Sequence, residues 1–172
     1  MLINDTYFTG KIVLPVSDIQ NELNGYILRL EPEILTKVLG YDLKKAFLDG
    51  LEDDPILQKW TDLLEGKEYQ VNGIYYNWRG FTNDLKESII SNYVFCYYLQ
   101  HGSKFNSQFG LRQVNTENSQ PADIRFKYTM IYNEMIDWIA ELDQFIVAMN
   151  GTGDIYPNYA PELIRKINPF GA

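Results

Sequence analysis

The stretch Ile124-Arg-Phe-Lys-Tyr128-Thr-Met-Ile131-Tyr-Asn-Glu-Met135-Ile-Asp-Trp138-Ile-Ala-Glu-Leu142-Asp-Gln-Phe145-Ile-Val-Ala-Met149 carries its large apolar residues at spacings of 4, 3, 4, 3, 4, 3 and 4. That rhythm keeps one face of an α-helix covered without a break. Pro121 in the first turn and Gly151 just past the end predict an element of about 28 residues, roughly 42 Å long. A helix of this length serves as the spine of a bundle or as a seam between subunits, and a central helix in the chain's own core is the plainer reading.

Upstream, the same helical spacing recurs in shorter pieces. Ile19, Leu23, Ile27, Leu30, Ile34 and Val38 line one face of a helix that Ser17 and Gln20 start as a capping box, that Pro32 kinks or splits, and that Gly40 ends. Tyr41 to Leu51 is a second helix, with Leu43, Phe47 and Leu51 inward. Asp54 and Pro55 are expected to open a third, bearing Ile56, Leu57, Trp60, Leu63 and Leu64. Phe81, Leu85, Ile89, Tyr93 and Tyr97 predict a buried helix from about 81 to 101. Between the last two, Glu68 to Trp78 centres on Asn72-Gly73, a pair that tolerates positive φ at both turn positions and so marks a β-hairpin near 67–78. Residues 102–119, polar and rich in Gly, Asn and Ser, read as a long loop or a small irregular sheet. The expected fold is mainly α: a bundle of about four to five helices, with a long helix in the C-terminal half and one small β-hairpin.

The two ends break the pattern. Residues 1–16, with Ile3, Phe8, Ile12, Val13 and Leu14 interrupted by Gly10 and Pro15, read as an extended N-terminal arm. Residues 17–151 form the helical domain, and 152–172 a C-terminal arm. Three prolines keep that last segment extended, yet Tyr159, Leu163, Ile164, Ile167 and Phe170 are too apolar for a solvated tail. It folds back on its own domain or docks on a neighbour, and both readings stay open.

Composition narrows the function. The 172 residues hold 23 Asp and Glu against 15 Lys and Arg, a net charge of −8, which disfavours sequence-independent binding of nucleic acid through its phosphates. Aromatics make up 15%, with 13 Tyr, a residue type suited to surfaces covered in an assembly as well as to cores. One cysteine permits no internal disulfide, and neither a signal peptide nor an apolar run of spanning length is visible, so a cytoplasmic, reducing setting and no membrane are expected.

The chemistry of catalysis is missing from the pattern. There is no phosphate-binding glycine loop. His101, the only histidine, fits a helix C-terminus, and Cys96 lies on an apolar helix where burial raises a thiol's pKa. The acidic residues Asp49, Glu52, Asp53 and Asp54 lack the alternation and central glycine of a calcium loop. Glu134, Asp137 and Glu141 share a face of the long helix without a histidine partner. Neither an enzyme nor a cofactor or metal site is expected; binding is what remains.

Several short stretches resemble a known family. They are Glu31-Pro-Glu-Ile-Leu-Thr-Lys-Val-Leu-Gly-Tyr-Asp-Leu-Lys-Lys-Ala-Phe-Leu-Asp-Gly-Leu51, Trp60-Thr-Asp-Leu-Leu-Glu-Gly66, the hairpin ending Trp78-Arg-Gly80, Tyr132-Asn-Glu-Met135 and Tyr156-Pro157. Together they are similar to the head-tail connector (adaptor, or neck) proteins of tailed bacteriophages, above all those of phages from Bacteroidetes-type hosts, across most of residues 17–160. The resemblance implies a homo-oligomeric ring, usually of twelve copies, that binds the portal protein on one side and the next tail or neck protein on the other. It implies residence in the virion neck after synthesis in the host cytoplasm, with DNA passing without specific binding. Other phage head- or tail-completion proteins and an intracellular helical protein-binding module are the alternatives.

Under this reading the interface to the portal or a neighbouring subunit falls on Tyr69, Val71, Ile74 and Tyr76 of the hairpin and on Tyr156, Tyr159, Leu163, Ile164, Ile167 and Phe170 of the tail. Glu134, Asp137 and Glu141 become the candidate channel lining, since a like-charged wall does not trap phosphates. Loss of residues 156–172 is then expected to leave the fold intact and impair assembly.

Overall fold

A computed structural model describes residues 1–14, 19–101, 104–107, 110–113 and 124–168 of the chain. Helix α5, Ile124–Gly151, is its spine. Ile131, Met135, Leu142, Phe145 and Ile146 are fully buried along it, as the three-and-four spacing requires. Helix α1, Ile19–Leu39, runs unbroken through Pro32. The proline lies on the solvent side, and the carbonyl it deprives of a partner is that of Leu28, an exposed residue. On the opposite face Leu23, Ile27, Leu30, Ile34 and Val38 are buried. Ser17, the expected cap of this helix, Pro121 and most of 102–119 lie outside the described residues.

Gly40, at φ 82°, turns the chain into α2, Tyr41–Gly50, whose Leu43 and Phe47 point inward. Helix α3, Gln58–Glu65, starts later than Asp54-Pro55 predicts: Leu57 is its N-cap, and Ile56 and Leu57 are exposed. Strands β1, Lys67–Val71, and β2, Ile74–Trp78, pair antiparallel from Lys67↔Trp78 to Val71↔Ile74. Asn72 and Gly73 both have positive φ, the turn that the Asn-Gly pair predicts. Where the hairpin joins the body, Gly66 and Gly80 pass against each other; a Cβ on Gly66 would sit 2.4 Å from the Trp78 carbonyl oxygen, and one on Gly80 2.4 Å from the Glu65 carbonyl carbon. Only glycine fits this crossing.

Helix α4 spans Ile89–His101 and not 81–101. Local hydrogen bonds win over the four-residue periodicity in 81–88. The Ser88 hydroxyl donates to the Phe81 carbonyl and accepts from the Ile90 amide, which makes it a helix start. Asn83 binds the Glu87 backbone in both directions, and Lys86 has φ 60°. Phe81 is still buried, but Leu85 is 77% exposed. A second antiparallel pair, β3 (Lys104–Ser107) and β4 (Gly110–Gln113), follows α4, in line with the small-sheet reading of that segment.

The core is aromatic to an unusual degree. Phe47, Trp60, Trp78, Phe81, Phe145 and Tyr156 form a chain of ring contacts with centroids 5.6–6.3 Å apart. Rings at such spacings add about 0.5–1.5 kcal/mol per pair beyond area burial. Part of the aromatic enrichment is therefore internal and leaves less for contact surfaces. Among the described residues no helix is long and apolar enough to cross a membrane.

The N-terminal segment is coiled, not extended. It makes 3-10 turns at Asp5–Tyr7 and Gly10–Ile12 and buries Ile3, Tyr7, Phe8 and Ile12 on its own domain. Of the apolar residues that suggested a reaching arm, Ile3, Phe8 and Ile12 cover their own core, Leu14 is half-buried and Val13 is exposed.

Candidate functional site

The three carboxylates assigned to a channel wall are each engaged within the chain. Glu134 takes a hydrogen bond of 2.8 Å from Lys11 of the N-terminal segment, and Asp137 an ion pair of 2.6 Å from Lys166 of the tail. Glu141 holds Arg79 bidentately, with both bonds at 2.8 Å. Arg79 also donates to Glu87 and lies 4.5 Å over the Trp138 ring. Each acid on this face meets a cation, so the face presents ion pairs and not a bare negative wall. What α5 gains there is fixed neighbours: a bidentate guanidinium stacked on an indole locks the hairpin's root onto the helix. Sequence reading missed Lys11, Arg79 and Lys166 because they lie far from their partners in the chain, Arg79 and Glu141 by 62 positions and Lys11 and Glu134 by 123.

The hairpin divides into a buried and an open side. Tyr69 is 7% exposed; its ring stacks on Tyr76 at 5.7 Å and meets Phe145 edge-on at 5.4 Å. Burial, with the charges of Tyr76 and Glu141, raises its phenol pKa above 10.0. Tyr69 is thus a wall residue and not a free contact. Ile74, Tyr75 and Tyr76 are exposed, as is Val147 on α5. Between hairpin and helix lies a groove of about 260 Å³ lined by Tyr69, Val71, Tyr76, Gln144, Val147 and Ala148. None of its lining side chains is charged, and Val147 was not singled out by sequence because at that spacing it lies off the core face.

The tail follows its own domain through residue 168. Tyr156 is 1% exposed, and its hydroxyl donates to the Lys59 carbonyl, which removes it from any interface. Tyr159 donates to Asp143, Ala160 to the Leu39 carbonyl and Glu162 to the Lys37 carbonyl. Asn133 on α5 clamps Ile167 through both its amide and its carbonyl, at 2.9 Å each. Leu163 is 80% exposed and Ile167 36%, while Ile164 is half-buried. Phe170 lies outside the described residues.

Reactive groups sit in inert surroundings. Burial pushes the Cys96 thiol up to about 12. His101 stacks on Tyr97 at 4.1 Å, one ring nitrogen 3.0 Å from the Tyr97 carbonyl oxygen. Asp49, Glu52, Asp53 and Asp54 are all exposed. Among the described residues no three His, Cys, Asp or Glu side chains stand close enough to hold a metal ion.

No family model, curated protein or solved structure matches the chain.

Proposed function

We propose that the chain is a structural virion protein, a head-tail connector that assembles as a ring between portal and tail and encloses the path of the DNA. The observation that carries this reading is the set of exposed apolar and aromatic side chains on the hairpin and α5, with Ile74 and Tyr76 on one side of β2, Tyr75 on the other and Val147 across the groove from Tyr76, together with a tail that displays Leu163 and Ile167. Apolar side chains exposed together mark a surface that a partner covers. The motifs quoted from 31–51, 60–66 and 78–80 supply the family, and the helical architecture is compatible with it. The exposed hairpin replaces Tyr69 and Tyr156 as the centre of the contact. The net charge of −8 suits a passage for DNA, although the paired acids of α5 contribute little of it.

The test is light scattering behind size exclusion, with the purified chain alone and mixed with a purified phage portal protein. A ring of defined stoichiometry, alone or on the portal, supports the proposal. A chain that stays monomeric in both conditions and leaves the portal free overturns it.

A further inference from the structure

We propose that the cavity between the N-terminal segment, the loop 85–87, α4 and α5 binds a carboxylate group carried on a small organic body. The inference goes beyond the connector reading and does not depend on ring assembly. The cavity measures about 230 Å³, and Tyr7, Lys86, Asn92 and Trp138 line it. Asn92 is 2% exposed, and its side-chain nitrogen is the one buried side-chain polar atom among the described residues with no hydrogen-bond partner. A buried amide left unpaired destabilises the fold that holds it, and an apolar residue of similar shape would serve the core better, so its presence calls for a partner. Turning the amide about its last bond exchanges nitrogen and oxygen without moving the backbone, which lets the donor face the cavity. Tyr7 and Trp138 are also buried, and among the described residues nothing accepts the phenol O–H of the first or the indole N–H of the second.

The charges around the cavity select a monoanion. Its two acids are already matched: Lys11 holds Glu134 and Arg79 holds Glu87, each at 2.8 Å. Lys86 has no carboxylate partner among the described residues and rests 4.9 Å from the centre of the Tyr7 ring. The two bonds between Asn83 and the Glu87 backbone fix the loop that carries it, so the cation is held in place before a ligand arrives. One cation with neutral N–H and O–H donors suits a carboxylate, whose two oxygens only accept. A doubly charged group would lie beside Glu87 and Glu134 with a single spare cation to offset it. The Tyr7 and Trp138 rings, with Ile12 and Leu85, supply apolar wall for the rest of the ligand. Drug-sized ligands occupy about 300 Å³ or more, so the body here is restricted to a few carbons.

Proton–nitrogen correlation NMR on the full chain tests the site through the Trp138 indole N–H, one of three such signals, and the Asn92 side-chain amide. The probes are acetate, butyrate and benzoate, with butyramide as the neutral control and a Gly-Glu-Gly tripeptide blocked at both ends as a second source of the group. Saturable shifts of both signals are expected with butyrate or benzoate, and affinity should fall at least about tenfold in Lys86→Gln and in Asn92→Leu. Lys86 is exposed, so K86Q should melt like the parent and carries the test even if N92L is unstable. Binding of the free acids alone assigns the site to a small metabolite; binding of the tripeptide alone assigns it to an acidic side chain of a partner protein; either result supports carboxylate recognition. Shifts of equal size with butyramide, unchanged affinity in K86Q, or no saturable shift with any carboxylate overturns the proposal. None of these outcomes bears on whether the chain forms rings.

Discussion

The N-terminal segment, residues 1–14, and the tail, residues 152–168, each send a lysine to the acidic face of α5, yet they are held by different physics. Residues 1–14 bury Ile3, Tyr7, Phe8 and Ile12, and the amides of Leu2 and Ile3 donate to the buried carboxylate of Glu31. Residues 152–168 fully bury only Tyr156; beyond it Tyr159 is half-buried with its hydroxyl on Asp143, and the other attachments are polar: two backbone bonds to α1, the Asn133 clamp and the ion pairs Glu162–Lys37 and Lys166–Asp137. Apolar burial yields about 1.5–3 kcal/mol per large side chain, whereas an exposed ion pair gives about 0–1 kcal/mol. The first segment is therefore core. The second is core at Tyr156, half-buried at Tyr159 and a strap held by polar contacts after it.

The largest effect should come from the buried residues at the root of each segment. Phe8→Ala and Tyr156→Ala should each cost about 3–5 kcal/mol in urea unfolding, the range for emptying a buried aromatic site. Losses below about 1 kcal/mol for Phe8→Ala would erase the contrast by making the N-terminal segment a strap as well. Removal of 156–172 is accordingly expected to destabilise the fold, a correction to the intact fold that the sequence led us to expect. Removal of 161–172 is the change that should spare it.

Alkali should act next. Burial, with the Asp62 charge for Tyr156 and the charge and hydrogen bond of Asp143 for Tyr159, lifts both phenols well above the ordinary 10.0. Burial, followed by the bond to Glu33, does the same for Tyr93. A phenol with a raised folded pKa keeps its proton in the fold after the unfolded chain has lost it. The associated stability is complete below pH 10 and is lost as pH rises through the folded values. Cys96, raised from 9.0 to about 12, begins the same decline one unit earlier. Melting temperature should hold steady between pH 7 and about 9 and fall beyond, and the share of the tyrosinate absorbance at 295 nm that disappears in a Tyr159→Phe variant should develop only as the protein unfolds, unlike that of exposed rings such as Tyr41 and Tyr75. If that share rises ahead of unfolding, Tyr159 is open to water.

The fate of these segments shows what a sequence can carry. The periodicity of 124–149 and the Asn72-Gly73 pair specify α5 and the hairpin because the information is local: side-chain spacing and turn conformation act within a few residues. The helix predicted from Phe81 failed for an equally local reason, since the Ser88 cap and the Asn83–Glu87 bonds decide the start and leave Phe81 to reach the core from a turn. The proposed contact surface was legible only in part. Ile74 and Tyr76 are open as expected, but Tyr69 and Tyr156 share their chemistry with core residues, and composition does not tell a tyrosine facing a neighbour from one facing Phe145. The pairing of Glu134, Asp137 and Glu141 with distant cations needed the folded chain.

A smaller effect sharpens the contrast on the tail side. Asn133→Ala removes the two bonds to Ile167 and should lower global stability by only about 1 kcal/mol, because both groups regain water. It should nevertheless hasten protease cleavage within 161–168 severalfold while cleavage within 1–14 stays as in the parent. Equal protection of both segments in the variant would mean that burial of Ile164 and Tyr159, and not the clamp, holds the strap.

The smallest effect is the most discriminating. Lys11 and Lys166 make comparable pairs with α5, at 2.8 and 2.6 Å, and both lysines are more than half exposed. Replacing either by Ala should shift global stability by less than about 0.5 kcal/mol, since surface pairs of this kind contribute little. Local opening should differ. Without Lys166 the strap keeps its hydrogen bonds, the Glu162–Lys37 pair five residues upstream and a half-buried Ile164, so amide exchange at Ile167 should accelerate. Without Lys11 the four buried side chains still pin residues 1–14, and the amides of Phe8 and Ile12, bonded to Asp5 and Thr9, should exchange as before. Hydrogen exchange read residue by residue on K11A and K166A makes the comparison directly. An equal response at the two ends would mean that the segments are held alike, and the division between a segment held by burial and one held by polar contacts would fall.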